Sequence, residues 1–221
     1  MDRMRSNRTQ SRRRARGKNY RKSADTEAMI MEAAVSCLHE QGFHKLTLQN
    51  VAQRADMTRS AIQYYADTTR SLLLLLQEYL VDKIWGEELR KSLALPSGPT
   101  SHGDAIDIIH DHIDSRYFVA WNELLIAART DDSLKPIVDR GNTLREEIHL
   151  RLADIFHSGA DAERLRLYSA LDDLFVLVLH GATFVTFADD TAERVANAKK
   201  VLRDLYVLVR EGDVRPAGQA D

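Results

Sequence analysis

The stretch from Thr47 to Tyr65, TLQNVAQRADMTRSAIQYY, most constrains the fold, because it predicts two short helices joined by a tight turn. Thr47 stands at the N-cap position, where its hydroxyl can accept a hydrogen bond from the first turn of the first helix. A buried stripe on that helix is predicted by four apolar residues at helical spacing, namely Leu48, Val51, Ala52 and Ala55.

The turn is centred on Asp56, and Asp is one of the few residues other than Gly that tolerate a left-handed backbone. Thr58 is predicted to cap the second helix, with Ala61 and Ile62 facing inward. The outward face is predicted to consist of Arg59, Ser60, Gln63 and Tyr64. Two helices joined in this way, with a polar outer face on the second, form a helix-turn-helix arrangement.

The outer face of the second helix has side chains suited to reading DNA. A helix fits into the major groove, where each base pair presents its own pattern of donors, acceptors and methyl groups. Arg59 and Gln63 can make paired hydrogen bonds to guanine and adenine edges, and Ser60 and Tyr64 can reach bases or phosphates. A solvated helical hairpin inside an ordinary bundle is the alternative interpretation of the same stretch.

The charge of the chain is divided unevenly. Residues 1–22 contain ten Lys and Arg residues and one Asp, whereas the whole chain has a net charge of −2, so the rest of it is acidic. This basic arm has few apolar residues and is predicted to be disordered when free. A basic segment beside an acidic body is typical of nucleic-acid contact, although a solubilising tail has the same composition. The arm residues predicted to contact DNA are Arg12, Arg13, Arg14 and Arg16.

The composition favours a folded, mostly helical, soluble protein. The chain has 221 residues, of which 44% are hydrophobic, with only 10 Gly and 4 Pro. It contains no run of about 20 apolar residues, so no transmembrane span is expected. The basic arm is not followed by an apolar segment, so it is not a secretory signal. Cys37 is the single cysteine and is predicted to be a core residue, which fits a reducing cytoplasm.

The order of features around the helix-turn-helix makes a resemblance specific. A first helix is predicted to start near Ser23 or Asp25 and to stop at Gly42, which Phe43 follows. After this stop come Thr47, the Ala-rich helix, the turn, Tyr65 and a leucine-rich helix. Over about residues 24–84 this pattern resembles the TetR family of bacterial transcriptional regulators.

The chain departs from that family's usual pattern at several positions. Asp56 occupies the turn position where the family usually has Gly, and Ile62 and Gln63 stand in place of Leu and Tyr. Thr69 replaces a Lys that commonly meets a phosphate, although Thr69 and the start of its helix can still attract one. We hypothesise that the basic arm compensates for the missing Lys. Contacts to DNA are also expected from Thr47, Thr58 and Tyr65.

The resemblance implies an all-α protein with two domains. The helix-turn-helix head is expected over residues 23–86, after the disordered arm at 1–22. A connecting helix, which includes the run from Leu72 to Leu76, is predicted to be buried on several sides and to fade by about Leu95. A ligand-binding and dimerisation domain is expected over residues 87–212, with a flexible tail at 213–221.

The predicted carboxy-terminal domain begins with a loop at 96–101 and a long helix, which Asp104 is predicted to cap and which extends to Ala128. Pro136 fits the first turn of the next helix, and Gly141 to Thr143 are expected to bend or interrupt it. A pocket between these helices is one role for several of their residues, and core or surface positions are the alternative. The pocket candidates are Ile109, His110, Ile113, Tyr117, Trp121, Leu125 and Phe156.

Two final helices, at about 161–188 and 191–210, are joined by only Asp189 and Asp190, so they are predicted to be antiparallel neighbours. They have more apolar residues than one body needs, which predicts a partner surface. In the resembled family the equivalent pair meets its twofold mate as a four-helix bundle. The interface candidates are Leu171, Leu174, Phe175, Val178, Ala182, Val195, Leu202 and Leu205.

Motifs for other functions are missing from the sequence. It has no phosphate-binding glycine loop and no nucleophile elbow, and His39 and His44 are five apart rather than four. No cofactor, metal or enzymatic activity is therefore expected. Taken with the resemblance to the TetR family, the sequence predicts a cytoplasmic, homodimeric regulator that binds a palindromic DNA operator. The resemblance implies a repressor that a small molecule releases. The alternatives are a constitutive DNA-binding regulator without a ligand and a helical-bundle enzyme.

Overall fold

A computed structural model describes residues 23–94, 115–156, 161–185 and 191–211. Within these ranges every regular element is helical, which confirms the all-α prediction. The first helix, α1, covers residues 23–41. A short 3-10 turn at Phe43–Lys45 leads to α2 (Leu48–Arg54), α3 (Arg59–Tyr65), α4 (Thr69–Val81), a π-helical turn (Asp82–Gly86), α5 (Glu87–Leu93), α6 (Arg116–Ala128), α7 (Lys135–Phe156), α8 (Ala162–Val185) and α9 (Thr191–Glu211).

The chain divides into two compact units, an amino-terminal unit at Met1–Tyr79 and a carboxy-terminal unit at Leu80–Asp221. The dividing point lies near the end of α4, whereas the sequence prediction placed a boundary between residues 86 and 87. The predicted domain limits therefore stay a prediction. The basic arm at 1–22 and the tail at 213–221 lie outside the described residues.

The core of the amino-terminal unit is built on the apolar side of α1. Ile30, Ala34, Cys37 and Leu38 are fully buried, as their helical spacing predicts. Burial raises the pKa of the Cys37 thiol, which suits a core residue rather than a reactive one. The helix stops at Gly42, which has a φ of 78° and whose amide donates to the Leu38 carbonyl at 3.0 Å. Only Gly adopts this backbone readily, so the predicted stop is confirmed.

The leucine run of α4 is buried less completely than predicted. Leu72, Leu73 and Leu76 are buried, but the side chain of Leu74 is 37% exposed. These positions follow the helical period, so the three buried residues share one side of α4 and Leu74 lies on the other. The prediction of burial on several sides is therefore wrong at Leu74.

A π-helical turn interrupts the helix that the sequence predicted to run on to about Leu95. Asp82 in this turn is paired with Arg90, with 2.7 Å between Oδ1 and Nη1. A Cβ atom added at Gly86 would lie 2.6 Å from the Asp82 carboxylate. The Asp82 side chain therefore packs over Gly86, where a residue with a Cβ atom would not fit without a shift. The turn brings Ile84 and Trp85 into the core of the carboxy-terminal unit.

The helix predicted to run unbroken from Asp104 to Ala128 has a different start. Ser115 is extended, with a ψ of 141°, and its hydroxyl accepts a hydrogen bond from the Phe118 amide at 3.3 Å. This is N-cap geometry, so α6 begins after Ser115 and the prediction of one continuous helix is wrong. Asp104 itself lies outside the described residues.

Helix α7 continues through the segment that was expected to break it. It runs from Lys135 to Phe156, with Pro136 in its first turn as predicted. Gly141 is buried, and the Thr143 hydroxyl donates to the Asp139 carbonyl one turn earlier at 3.0 Å. Tertiary packing thus outweighs the weak helix propensity of Gly, and the predicted interruption is wrong.

The last two described helices, α8 and α9, pack against each other, as their short connection predicts. By length and composition, residues Ala162–Phe184 of α8 are apolar enough to cross a membrane, with a mean hydropathy of 1.3. This is weak evidence, because a core helix of a soluble protein passes the same test. Asp172 and Asp173 lie at the middle of the segment, where inserting each carboxylate into a bilayer would cost about 2.5–3.5 kcal/mol.

Candidate nucleic-acid interface

Both helices of the helix-turn-helix begin at the predicted threonine caps. The Thr47 hydroxyl accepts from the Asn50 amide at 3.1 Å, and the Thr58 hydroxyl accepts from the Ala61 amide at 3.2 Å. Asp56 has a φ of 53°, the left-handed conformation predicted for the turn. Local hydrogen bonds therefore set the angle at which α3 leaves the turn.

Helix α3 has one buried side and one exposed side. Ile62 is fully buried and Ala66 nearly so, whereas Ala61 is half-buried. The opposite side is exposed, as predicted, with Tyr64 83% accessible. The exposed residues are Arg59, Ser60, Gln63 and Tyr64. Because α2 and α3 pack against each other on the buried side, these four side chains lie on a firmly held helix.

The side chain of Tyr65 is half-buried, and its ring meets that of Tyr64 edge to face at 5.2 Å between centroids. Such a pair gains energy beyond the area it buries. The contact therefore favours a fixed position for Tyr64, although Tyr64 is the most exposed large apolar side chain among the described residues. Sequence reasoning selected both residues but did not predict that they contact each other.

Thr68 caps the start of α4. It lies one residue before Thr69, which the sequence suggested as a phosphate contact. The Thr68 hydroxyl accepts from the Ser71 amide at 3.1 Å, and the Ser71 hydroxyl accepts from the Thr68 amide at 2.9 Å. Ser71 also donates to the Asp67 carboxylate at 2.7 Å, which lowers the pKa of Asp67. Thr69 is half-buried beside this exposed negative charge. Asp67 was not among the residues that the sequence predicted to contact DNA.

A polar groove of about 440 Å³ lies beside α2 in the amino-terminal unit. Its lining residues are Gln41, Lys45, Asn50, Gln53 and Arg54. The Asn50 amide donates to the Lys45 carbonyl at 2.7 Å, and Arg54 pairs with Glu40 at 2.7 Å. Sequence reasoning missed this groove, because its walls come from the end of α1, from the 3-10 turn at Phe43–Lys45 and from α2, and no sequence period links them.

The pocket candidates of the carboxy-terminal unit are only partly described. Trp121 is buried and Tyr117 and Leu125 are half-buried, with the Tyr117 ring 5.9 Å from the Lys83 ammonium. The Trp121 ring meets Trp85 edge to face at 5.8 Å. Ile109, His110 and Ile113 lie outside the described residues, as does the side chain of Phe156. Among the residues described here, no group of three His, Cys, Asp or Glu side chains could hold a metal ion.

Asn122, which sequence reasoning considered for the pocket, is buried in the same unit and contacts the half-buried His180, which it did not consider. His180 Nδ1 is 2.5 Å from Asn122 Oδ1, the Asn122 amide donates to the Phe118 carbonyl at 3.1 Å, and the His180 ring stacks on Phe118. Burial, with a smaller effect from Arg145, lowers the pKa of His180 to about 4. The imidazole is therefore neutral at pH 7.

The predicted partner surface on α8 and α9 is mixed. Phe175, Ala182 and Leu202 are buried within the chain itself, and Leu171, Val178 and Val195 are half-buried. Leu174 and Leu205 are exposed. Further exposed apolar residues on these two helices, outside that set of interface candidates, are Leu165, Leu177, Phe184, Val201 and Leu208.

The geometry of α2 and α3 defines the class of protein. Two capped helices meet at a tight left-handed turn, and the second presents Arg59, Gln63 and Tyr64 to solvent above a buried Ile62. This is the helix-turn-helix of DNA-binding proteins.

The family model of the bacterial regulatory proteins of the tetR family matches residues 30–76, which include the whole helix-turn-helix. Residues 30–76 therefore belong to the TetR family of bacterial regulatory proteins, whose members bind DNA. The predicted resemblance is therefore confirmed. No curated protein matches the sequence.

Solved structures share the fold over most of the chain. A TetR-family member from Streptomyces coelicolor A3 is 22% identical, with a TM-score of 0.57 over 81% of this chain and 97% of its own. A TetR transcription regulator from Haloarcula marismortui is 20% identical, with a TM-score of 0.55 over 82% and 96%. The multidrug binding protein EbrR, in complex with malachite green, is also 20% identical, with a TM-score of 0.55 over 81% and 96%. Likeness at these identities shows a common fold.

Proposed function

We propose that the protein is a homodimeric transcriptional repressor that binds a palindromic operator and leaves it when a small molecule binds. The observation that carries the proposal is the exposed polar side of α3. Arg59 and Gln63 have the donors and acceptors that read guanine and adenine, and both are exposed. Ile62, fully buried on the opposite side, holds the helix in place.

We assign DNA binding to residues 23–86 and ligand binding and dimerisation to residues 87–212. Thr47, Thr58 and Thr69, at or beside the starts of three helices, are assigned to phosphate contacts, because amide groups at helix starts attract anions. The arginines of the arm at 1–22 add positive charge that neutralises further phosphates.

The exposed apolar residues of α8 and α9 support a dimer. Leu177 is 68% exposed and Val201 58% exposed, and five more large apolar residues on the same two helices are at least one third exposed. Soluble monomers rarely expose so many large apolar residues on adjoining helices. A second copy would cover them through a twofold contact. The two α3 helices would then face successive major-groove segments, one turn apart or modestly more.

Release by a small molecule is supported by the composition of the carboxy-terminal unit. Its interior contains the polar side chains of Glu88, Asn122 and Ser92, which is a feature of ligand sites rather than of cores that only pack. EbrR, which shares the fold, has been crystallised with imidazole and with malachite green. A ligand that fits one arrangement of the two subunits better than another shifts the protein away from its operator.

A gel-shift assay on the DNA upstream of the protein's own gene tests the proposal. We expect binding, with Arg59→Ala changing the preferred base at one position and costing about 1–3 kcal/mol there. Arg129→Ala removes an equal charge from an exposed position in the carboxy-terminal unit and is the matched control. If Arg59→Ala lowers affinity equally for all sequences, α3 is not the reading element.

A further inference from the structure

The polar groove beside α2 differs in charge from the unit that contains it. Residues 23–79 have seven Asp and Glu but only four Lys and Arg, so this stretch has a net charge of −3 with His neutral. Two of the four cations, Lys45 and Arg54, line the groove, and none of the seven acids of the stretch does. A concave surface with cations and side-chain amides but no carboxylate favours an anion. The amides are those of Gln41, Asn50 and Gln53.

Hydrogen bonds fix the rim of the groove at the start of α2. The Asn50 backbone amide donates to the Thr47 hydroxyl at 3.1 Å, and its side-chain amide donates to the Lys45 carbonyl at 2.7 Å. Asn50 thus ties the 3-10 turn that contains Lys45 to the first turn of α2. Because the Lys45 side chain is exposed, its ammonium is presented to solvent from a backbone that is held in place.

The helix-turn-helix places this groove beside the backbone of DNA. When the second helix lies in the major groove, the first helix crosses the sugar-phosphate backbone. Helix α2 is the first helix, and the groove is lined from Lys45, just before its start, to Arg54, its last residue. Gln41, Lys45 and Gln53 are exposed, so the groove is an open trench along which an extended strand can pass.

The charge of Arg54 is shared with an acid of the same unit. Its Nη1 lies 2.7 Å from Glu40 Oε2, and the two side chains are 27% and 51% exposed. Ion pairs at such positions contribute little, because water and salt screen them. A DNA phosphate can therefore take the place of the Glu40 carboxylate on Arg54. Glu40 then lies near the phosphate as a like charge and repels it.

From this arrangement we propose that the groove binds the backbone of duplex DNA through Lys45 and Arg54, and that Glu40 weakens this binding by competing with phosphate for Arg54. The inference rests on the proposed function, because it adds positioning residues outside α3 to the same DNA interface. The Gln41 and Gln53 amides supply further donors along the groove. None of these contacts depends on base sequence, so the groove sets affinity rather than base preference.

The test is the salt dependence of binding, measured by fluorescence anisotropy between about 50 and 200 mM salt. One labelled duplex comes from the DNA upstream of the protein's own gene, and the other is unrelated and of equal length. Each cation that neutralises a phosphate adds about 0.9 to the slope of log affinity against log salt. Lys45→Gln and Arg54→Gln are therefore each expected to lower the slope by about 0.9 and to weaken binding to both duplexes alike. Arg129→Gln, at an exposed position in the carboxy-terminal unit, is the control and should leave the slope unchanged.

The competition by Glu40 has its own variant. Glu40→Gln keeps the shape of the side chain but removes its charge, and is expected to tighten binding to both duplexes by about threefold at low salt. In a protein that also has Arg54→Gln the gain should be smaller, because no guanidinium is then released. Glu147→Gln, the same change at an exposed position on α7, should leave the affinity unchanged. An equal gain with and without Arg54 contradicts the competition.

An unchanged slope in either Lys45→Gln or Arg54→Gln, with a native circular dichroism spectrum, overturns the proposal. Millimolar pyrophosphate at constant ionic strength tests the other source of phosphate. We expect it not to displace the DNA, and displacement that Lys45→Gln abolishes would make the groove a site for free phosphates instead. The base preference of Arg59→Ala on the same duplexes separates this inference from the proposed function. If that preference changes while the slopes of the groove variants do not, the inference alone fails, whereas an unmodified protein that binds neither duplex contradicts both.

Discussion

The two units of the molecule place their polar groups in opposite ways. In the amino-terminal unit, polar side chains cap helices or line the exposed side of α3, and apolar residues form the core, with Gln77 as the buried polar exception. In the carboxy-terminal unit Glu88, Asn122 and Ser92 are buried, and His180 is partly so. The first arrangement suits a rigid surface that reads DNA. The second leaves polar groups in an interior where burial shifts their protonation, as the pKa values of Glu88 and His180 show.

The largest effect on stability is expected at Ile62, the buried residue that holds the exposed side of α3 in place. Ile62→Ala should lower the free energy of unfolding by about 2–5 kcal/mol, because Ile62 is fully buried. Urea denaturation measures the change. Ser60→Ala, on the exposed side of the same helix, should cost less than about 0.5 kcal/mol. Similar costs for the two variants would show that α3 is not held by packing.

A smaller effect, in this case a gain in stability, is expected at Gln77, the buried polar residue of the amino-terminal core. Gln77 is fully buried, and within the described part of the chain neither its amide nitrogen nor its amide oxygen has a hydrogen-bond partner. Gln77→Met keeps the length of the side chain and should raise the free energy of unfolding by about 1–3 kcal/mol. Thermal denaturation tests this. Destabilisation would mean that the amide finds a partner in solution, and the contrast between the two cores would then weaken.

The pH dependence of stability should come from the carboxy-terminal unit. Because the folded pKa of Glu88, about 8, lies above its ordinary value of 4.5, its contribution to stability is complete below pH 4.5 and is lost as pH rises to about 8. The loss is at most about 1.4 kcal/mol per pH unit. Glu88→Gln should remove this slope, and Glu147→Gln should retain it. Denaturation at several pH values measures the slope of the free energy of unfolding against pH. An unchanged slope in Glu88→Gln would show that the Glu88 carboxyl is solvated.

The smallest effect is expected at the start of α4. Asp67 adds an exposed negative charge beside the helix start assigned to a phosphate contact. Asp67→Asn keeps an oxygen that can accept from Ser71 and should tighten DNA binding by about two- to threefold at low salt, for all sequences alike. The matched control is Asp161→Asn, which changes a similar helix-start carboxylate in the other unit. Unchanged affinity in Asp67→Asn would place α4 away from the DNA backbone.

The features that the sequence predicted correctly in the amino-terminal unit are local. A threonine three residues before a free amide, an Asp in a tight turn and a Gly at a helix end act within one turn of chain, so their chemistry is visible in the order of residues. The outward side of α3 followed from helical period alone. The contact between Tyr64 and Tyr65 and the charge of Asp67 beside α4 were not predicted, because they depend on side-chain conformation.

The errors in the carboxy-terminal unit have a different origin. The π-helical turn at Asp82–Gly86, the break at Ser115 and the unbroken α7 each depend on which neighbour packs against the segment. Several residues predicted to meet a partner, including Phe175 and Leu202, are buried within the chain. A helical period identifies an apolar side but does not distinguish a contact within the chain from one with a second copy.

The order of amino acids by itself determined that this protein is helical, that Thr58 caps a helix with one exposed side and that the surrounding segment resembles DNA-binding regulators. These properties depend on hydrogen bonds and spacings within a few residues. Only the tertiary structure decided that Glu88 is buried and that the charge of Asp172 acts on it. The ionisation of a carboxyl depends on the solvent and charges around it, and those come from helices far apart in the chain.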